Sequence, residues 1–247
     1  DFQLTYAADG AAGRYVDRRR GCELQAGNTF RNLGVVTLGY RFVATEFHQD
    51  TGISLLSPFR GQTASLVLRS HVETLDRAEI PDSGRVMDLA LETARKDLGG
   101  DLDFDRARLE YAGYRTWRHR HTLTTGVMLG AAFGGSLPDF EQFRLGGVDF
   151  LTGLKREELR GGYAAGVRIG YRLLVSDFGN SFLSRLYLEA GVDGANAWRD
   201  RDSVGGGLIP DGYLSLQART WLGPFRLTVG AAEGGRRNAT FSFGHTF

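Results

Sequence analysis

At 247 residues the chain has room for one large all-β unit or two small domains. Its formal net charge of +1 gives no electrostatic case for nucleic acid, and a single cysteine, Cys22, excludes an internal disulfide and argues against a metal site. No run of about 18 apolar residues occurs, so a membrane-spanning helix is excluded, whereas a mean hydropathy of −0.25 fits a water-soluble protein and a lumen-bearing transmembrane barrel equally well.

Alternation with a period of two runs from end to end and predicts strands. Phe2, Leu4, Tyr6 and Ala8 share the first face. The chain opens directly on this pattern with no targeting segment, so its start reads as processed or cut. Val16, Cys22, Leu24 and Ala26 mark a second strand, and Val36 to Ala44 a third with Thr37, Gly39 and Arg41 opposite. A fourth carries Leu66, Leu68 and Val72, a fifth Met87, Leu89 and Leu91, and a sixth Ala107, Leu109 and Tyr111. A seventh alternates from Leu123 to Phe133. The acidic stretches Asp76–Gly84 and Asp97–Asp105 lose the alternation and read as exposed loops.

Residues 143–162 are too long for a turn. Their apolar residues and glycines argue for a functional connection over a disordered one. Beyond it the strands are cleaner: Tyr163–Leu173, Leu186–Val192, Leu214–Ala218, Phe225–Ala231 and the terminal Phe241–Phe247. That makes about twelve strands of the length that spans a bilayer. The polar face is built from Arg, Asp, Glu, Gly and Ser, and Lys96 and Lys155 are the only lysines. Lysine would be common on a face meeting bulk water, so this face reads as a lumen wall. The fold expected is an all-β transmembrane antiparallel barrel in one unit over 1–247, with a soluble sandwich or solenoid as the alternative. Trp117, Trp198 and Trp221 lie near strand ends, where an aromatic belt or ordinary packing would place them.

Catalytic motifs are missing from the sequence: it has no G-x-S-x-G elbow and no P-loop. The acid clusters Asp101/Asp103/Asp105 and Asp200/Asp202 lack the glycine and distal glutamate of a calcium loop and read as solvated charge. No catalytic residue, metal or cofactor is expected.

Four motifs together resemble a known family. Phe143-Arg144-Leu145-Gly146-Gly147, followed by Leu151-Thr152-Gly153-Leu154, is similar to the lumen-inserted loop of the bacterial surface antigen superfamily. Val192-Asp193-Gly194-Ala195-Asn196-Ala197-Trp198 is similar to a strand motif of that superfamily, of the type Phe-Asp-Ala-Gly-Asn-Val-Trp. Ala232–Arg237 resembles the closing segment of patatin-like autotransporter barrels. Phe241, Phe243 and Phe247 resemble the C-terminal signal read by barrel assembly machinery.

The resemblance implies an outer-membrane location, contact with outer-membrane lipids and lipopolysaccharide, and a sixteen-stranded barrel of which these residues are the C-terminal part. The patatin-like branch implies an N-terminal lipase passenger that the barrel anchors and translocates. The insertase and two-partner secretion branches are the alternatives, and a stand-alone pore or barrel enzyme is a third. In the insertase branch the loop tip carries an arginine that pairs with a wall acid; here Thr152 stands at that position. Two replacements are open: Lys155 or Arg156 reaching Glu189 or Asp193, or Asp193 pairing with a wall arginine such as Arg168.

Overall fold

A computed structural model describes residues 2–8, 11–30, 34–52, 56–179 and 182–244, with side chains from residue 14 onward. The alternating segments become strands β1 (Phe2–Ala8), β2 (Ala11–Phe30), β3 (Gly34–Gly52), β4 (Phe59–Glu73), β5 (Gly84–Ala94), β6 (Phe104–Trp117) and β7 (His121–Phe133). After the long connection come β10 (Tyr163–Asp177), β11 (Leu183–Trp198), β12 (Ile209–Thr220), β13 (Gly223–Ala232) and β14 (Arg236–Phe243). The connection itself holds two short strands, β8 (Phe143–Leu145) and β9 (Leu159–Gly161).

Among the described residues, twelve strands form one antiparallel sheet in the order β1 to β7, then β10 to β14; β8 and β9 form a separate hairpin. The strands of the large sheet are ordered as in sequence, with only the β8–β9 hairpin set aside between β7 and β10, as in an up-and-down barrel wall. β1 and β14 are the two ends of this order. The register is continuous over long stretches: Arg168 faces Gly126 of β7 and Asp193 of β11, and Asp193 faces Asp211 of β12.

The two faces invert the usual distribution. Val167, Ile169, Leu188, Val192, Leu214 and Val229 are exposed, with Val192 at 58%. Thr122, Thr124, Arg172, Glu189, Asp193, Asp211, Ser215 and Gln217 are buried. A continuous outward apolar face would drive aggregation in water and is matched by hydrocarbon. The inward face is polar because it closes over a lumen crossed by the chain's own connection.

The structure bears on three sequence expectations. Strand two is twenty residues long, well beyond its Val16–Ala26 core. The last described strand ends at Phe243, and Phe247 lies outside the described residues. Trp117 and Trp221 are exposed at strand ends, but Trp198 is only 9% exposed. A Cβ on Gly161 would land 2.2 Å from the Trp198 carbonyl oxygen, so that strand end packs under the connection.

Candidate functional site: a strap seated on the lumen wall

The connection 134–162 enters the lumen as a strap with two seats. The first is built by the 3-10 turn Asp139–Glu141. Phe140 packs in an aromatic cluster with Tyr15, Phe47 and Phe59, its ring 4.8 Å from that of Phe59. Glu141 is buried among three wall arginines: Arg19 of β2 at 2.9 Å, Arg106 of β6 at 2.7 Å and Arg41 of β3 at 3.7 Å. Arg41 and Arg106 also hold Glu92 of β5 at 2.7 and 2.6 Å. Two carboxylates shared by three guanidiniums satisfy charges that would be costly alone in a buried site.

From there Phe143 to Leu145 form one arm of the β8–β9 hairpin. Phe143 lies on Gly130 of β7, where a Cβ would meet its ring at 2.8 Å. An interior strand glycine marks this kind of close approach. Arg144 braces the hairpin through Glu157 at 3.0 Å and the Phe140 carbonyl at 3.2 Å. Gly146 and Gly147 take left-handed conformations, φ +118° and +101°, which turn the chain toward the tip.

The tip, Leu151–Leu154, is the second seat. Leu151, Thr152 and Leu154 are fully buried. The leucines join a cluster with Met128 of β7, Ala164 of β10, Ala195 of β11 and Ala232 of β13. The tip's backbone is held by wall carboxylates: the Leu151 N–H donates to Asp193 Oδ1 at 2.9 Å and the Gly153 N–H to Asp211 Oδ2 at 2.6 Å. Asn238 Nδ2 of β14 donates to the Leu154 and Thr152 carbonyls at 2.9 and 3.3 Å. Gly153 and Gly230 lie backbone to backbone, a Cβ on Gly230 falling 2.5 Å from the Gly153 nitrogen.

The cation of this seat comes from the wall. Arg168 of β10 donates to Asp193 Oδ2 at 2.6 and 3.0 Å, to the Val148 carbonyl at 2.8 Å and to Thr152 Oγ1 at 3.1 Å. Its guanidinium also lies 4.6 Å from the Tyr213 ring centre and 5.4 Å from that of Phe150. Thus one arginine ties strap to wall at three points.

Of the two replacements open in the sequence, the structure contains the Arg168–Asp193 pair. Lys155 and Arg156 do not reach Asp193 or Glu189 among the described residues. The Lys155 backbone N–H turns back to Glu158 at 2.8 Å, and the Arg156 side chain is 90% exposed. Glu189 accepts instead from Thr124 at 3.2 Å, Tyr213 at 2.8 Å and Gln217 at 2.9 Å. Asp211, Asn238, Glu141 and Phe140 carry the seats without having been singled out by the sequence. Inward parity on β12 and β14 marks Asp211 and Asn238, whereas nothing local marks Glu141. Phe241 and Phe243 project outward, 65% and 51% exposed, with Phe241 edge-on to Phe225 at 5.3 Å.

Comparison with known proteins follows this geometry. The "Outer membrane protein assembly factor BamA" of Nitratidesulfovibrio vulgaris is 27% identical over 128 residues, 49% of this chain and 16% of that protein. The crystal structure of BamA from Haemophilus ducreyi lacking POTRA domains 1-3 superposes with a TM-score of 0.75 at 12% identity, covering 97% of this chain and 55% of that one. CdiB from Escherichia coli superposes at 0.66 with 14% identity, covering 96% and 47%. The chain therefore spans about half the length of the solved structures it resembles. A profile of the Omp85 superfamily domain matches residues 2–247. With nearly the whole chain matched, the protein belongs to the Omp85 superfamily, and it is an outer-membrane β-barrel.

Proposed function

We propose that this chain is the C-terminal part of a sixteen-stranded barrel that moves polypeptide into or across the outer membrane, with the strap setting the state of its lumen. The observation that carries the reading is the tip seat. A connection whose backbone is held by Asp193, Asp211 and Asn238 and whose cation comes from Arg168 is a positioned part, not a slack loop. Such work needs a wall, a lumen insert and a seam, and it needs no catalytic residue. The outward Phe241 and Phe243 of β14 fit a strand handed to barrel assembly machinery in the protein's own biogenesis.

A second reading is favoured by Thr152. A hydroxyl at the tip, with the arginine moved to the wall, fits the patatin-like branch, in which the client is the protein's own N-terminal passenger. Depleting the protein in its host and quantifying the outer-membrane and secreted proteomes separates the readings. Loss of many barrel proteins supports an insertase. Loss of one surface or secreted protein supports a dedicated translocator, and if that protein is a lipase encoded in the same chain, the passenger reading holds. Unchanged proteomes would refute polypeptide transport.

A further inference from the structure

The β4–β5 connection, residues 74–83, is ten residues long, and the sequence marks it only as an acidic loop. It stands only partly in solvent. Ile80 is 4% exposed and Pro81 is buried beside it. The segment is internally braced: Asp76 Oδ1 accepts the N–H groups of Asp82 and Ser83, both at 2.9 Å, and Arg77 pairs with Asp82. Ile80 is held at φ +42°, a conformation that a β-branched side chain resists and that surrounding contacts must impose.

The residues beside Ile80 are held by β6, β10 and β11. Arg172 of β10 donates to the Pro81 carbonyl, and Arg185 of β11 reaches Asp82 at 3.4 Å. Thr116 of β6 donates to the Asp82 carbonyl. The Arg172 side chain is 2% exposed and lies 5.3 and 5.8 Å from the Tyr187 and Tyr114 ring centres. Among the described residues, the carboxylate within ion-pair distance of this buried guanidinium is Asp82, at 4.0 Å. Withdrawing the turn would cost this guanidinium its Pro81 and Asp82 partners, leaving it opposite Glu189 of β11.

Connections in an antiparallel meander alternate between the two ends of the barrel. The strap joins the seventh and eighth strands of the sheet and the turn joins the fourth and fifth, so they enter from opposite mouths. Both fasten to β10, whose inward arginines at 168 and 172 stand four residues apart on one face of the strand. Arg168 takes the strap and Arg172 takes the turn.

We propose that the turn 74–83 is a second closure of the lumen, at the mouth opposite the strap, latched to β10 and β11 by Arg172 and Arg185, so that the passage opens only when both closures are released. This rests on the lumen being a passage. Ion conductance tests it without a polypeptide client, so its failure is distinct from a failure of the depletion experiment. The native protein is reconstituted into planar bilayers unaltered, with the strap released (Arg168→Met), with the turn released (Arg172→Met with Arg185→Met), and with both released. Low conductance in the first three and a several-fold larger step in the fourth is the expected result. Full conductance on strap release alone would overturn the proposal, as would low conductance in the combined variant. A second arm isolates the turn. In an Arg168→Met, Arg172→Met background with every native cysteine replaced by serine, Asp82→Cys and Arg185→Cys are joined by a cleavable bis-maleimide. Conductance should stay low while the bridge is intact and rise when it is cut, and no rise would overturn the proposal.

Discussion

Arg168→Met offers the sharpest test of the strap seat. Methionine keeps an aliphatic stem beside Tyr213 and Phe150 and removes the guanidinium that joins Asp193, Val148 and Thr152. The Asp193 side chain is fully buried, so it loses its cation with no compensating water, while the 16% exposure of the Arg168 side chain moderates the loss. Breaking a buried pair from one side costs about 3–5 kcal/mol, and the partial exposure points to the lower end. At about 3 kcal/mol the detached population of the tip rises roughly 100-fold. The strap carries its own reporter, because the Leu151 and Gly153 N–H groups are held by Asp193 and Asp211 only while the tip is seated. When reclosing outpaces exchange, amide hydrogen exchange follows the open population. Exchange at these two amides in the native, membrane-embedded protein should therefore accelerate by roughly 100-fold. Adding Asp193→Leu removes the stranded charge and should recover much of that loss, because a pair replaced from both sides costs far less than a pair broken from one. A rate equal to that of the unaltered protein, or a double variant worse than the sum of its parts, would refute the reasoning.

Two further outcomes follow from the same geometry. Gly153→Ala places a Cβ 2.4 Å from the Ala232 nitrogen and 2.8 Å from the Ala231 carbonyl carbon, both backbone atoms that cannot step aside. The tip should lift at a cost of about 1–3 kcal/mol, seen as faster amide hydrogen exchange at Leu151 with the barrel still folded. Val192→Arg puts a charge on the outward face beside Ile169, at a cost of about 2–4 kcal/mol if the position lies near the bilayer midplane. Folded protein recovered from the outer membrane should fall, and unchanged recovery would argue against lipid covering this face.

Parity alone is enough to read the wall. Period-two patterning separates Val167, Ile169 and Val192 from Arg168, Asp193 and Glu189 without any coordinates, because a strand places successive side chains on opposite faces. The strap is legible too, since a glycine-rich apolar connection between two strong strands is neither turn nor linker. Partner choice inside the lumen is another matter. Lys155 and Arg156 sit closer in sequence to the tip than Arg168 does, yet the chain reverses at Leu151–Leu154 and carries them away from the wall. Glu141 and Phe140 take their roles from β2, β3 and β6, more than thirty residues distant along the chain. The turn 74–83 looks like solvated acid locally, and only the approach of Arg172 and Arg185 from the far strands makes it a lumen part. Alternation is a local property of the backbone and survives in a sequence string. Which charges meet across a lumen depends on strand order, register and curvature acting together, and these exist only once the sheet has formed.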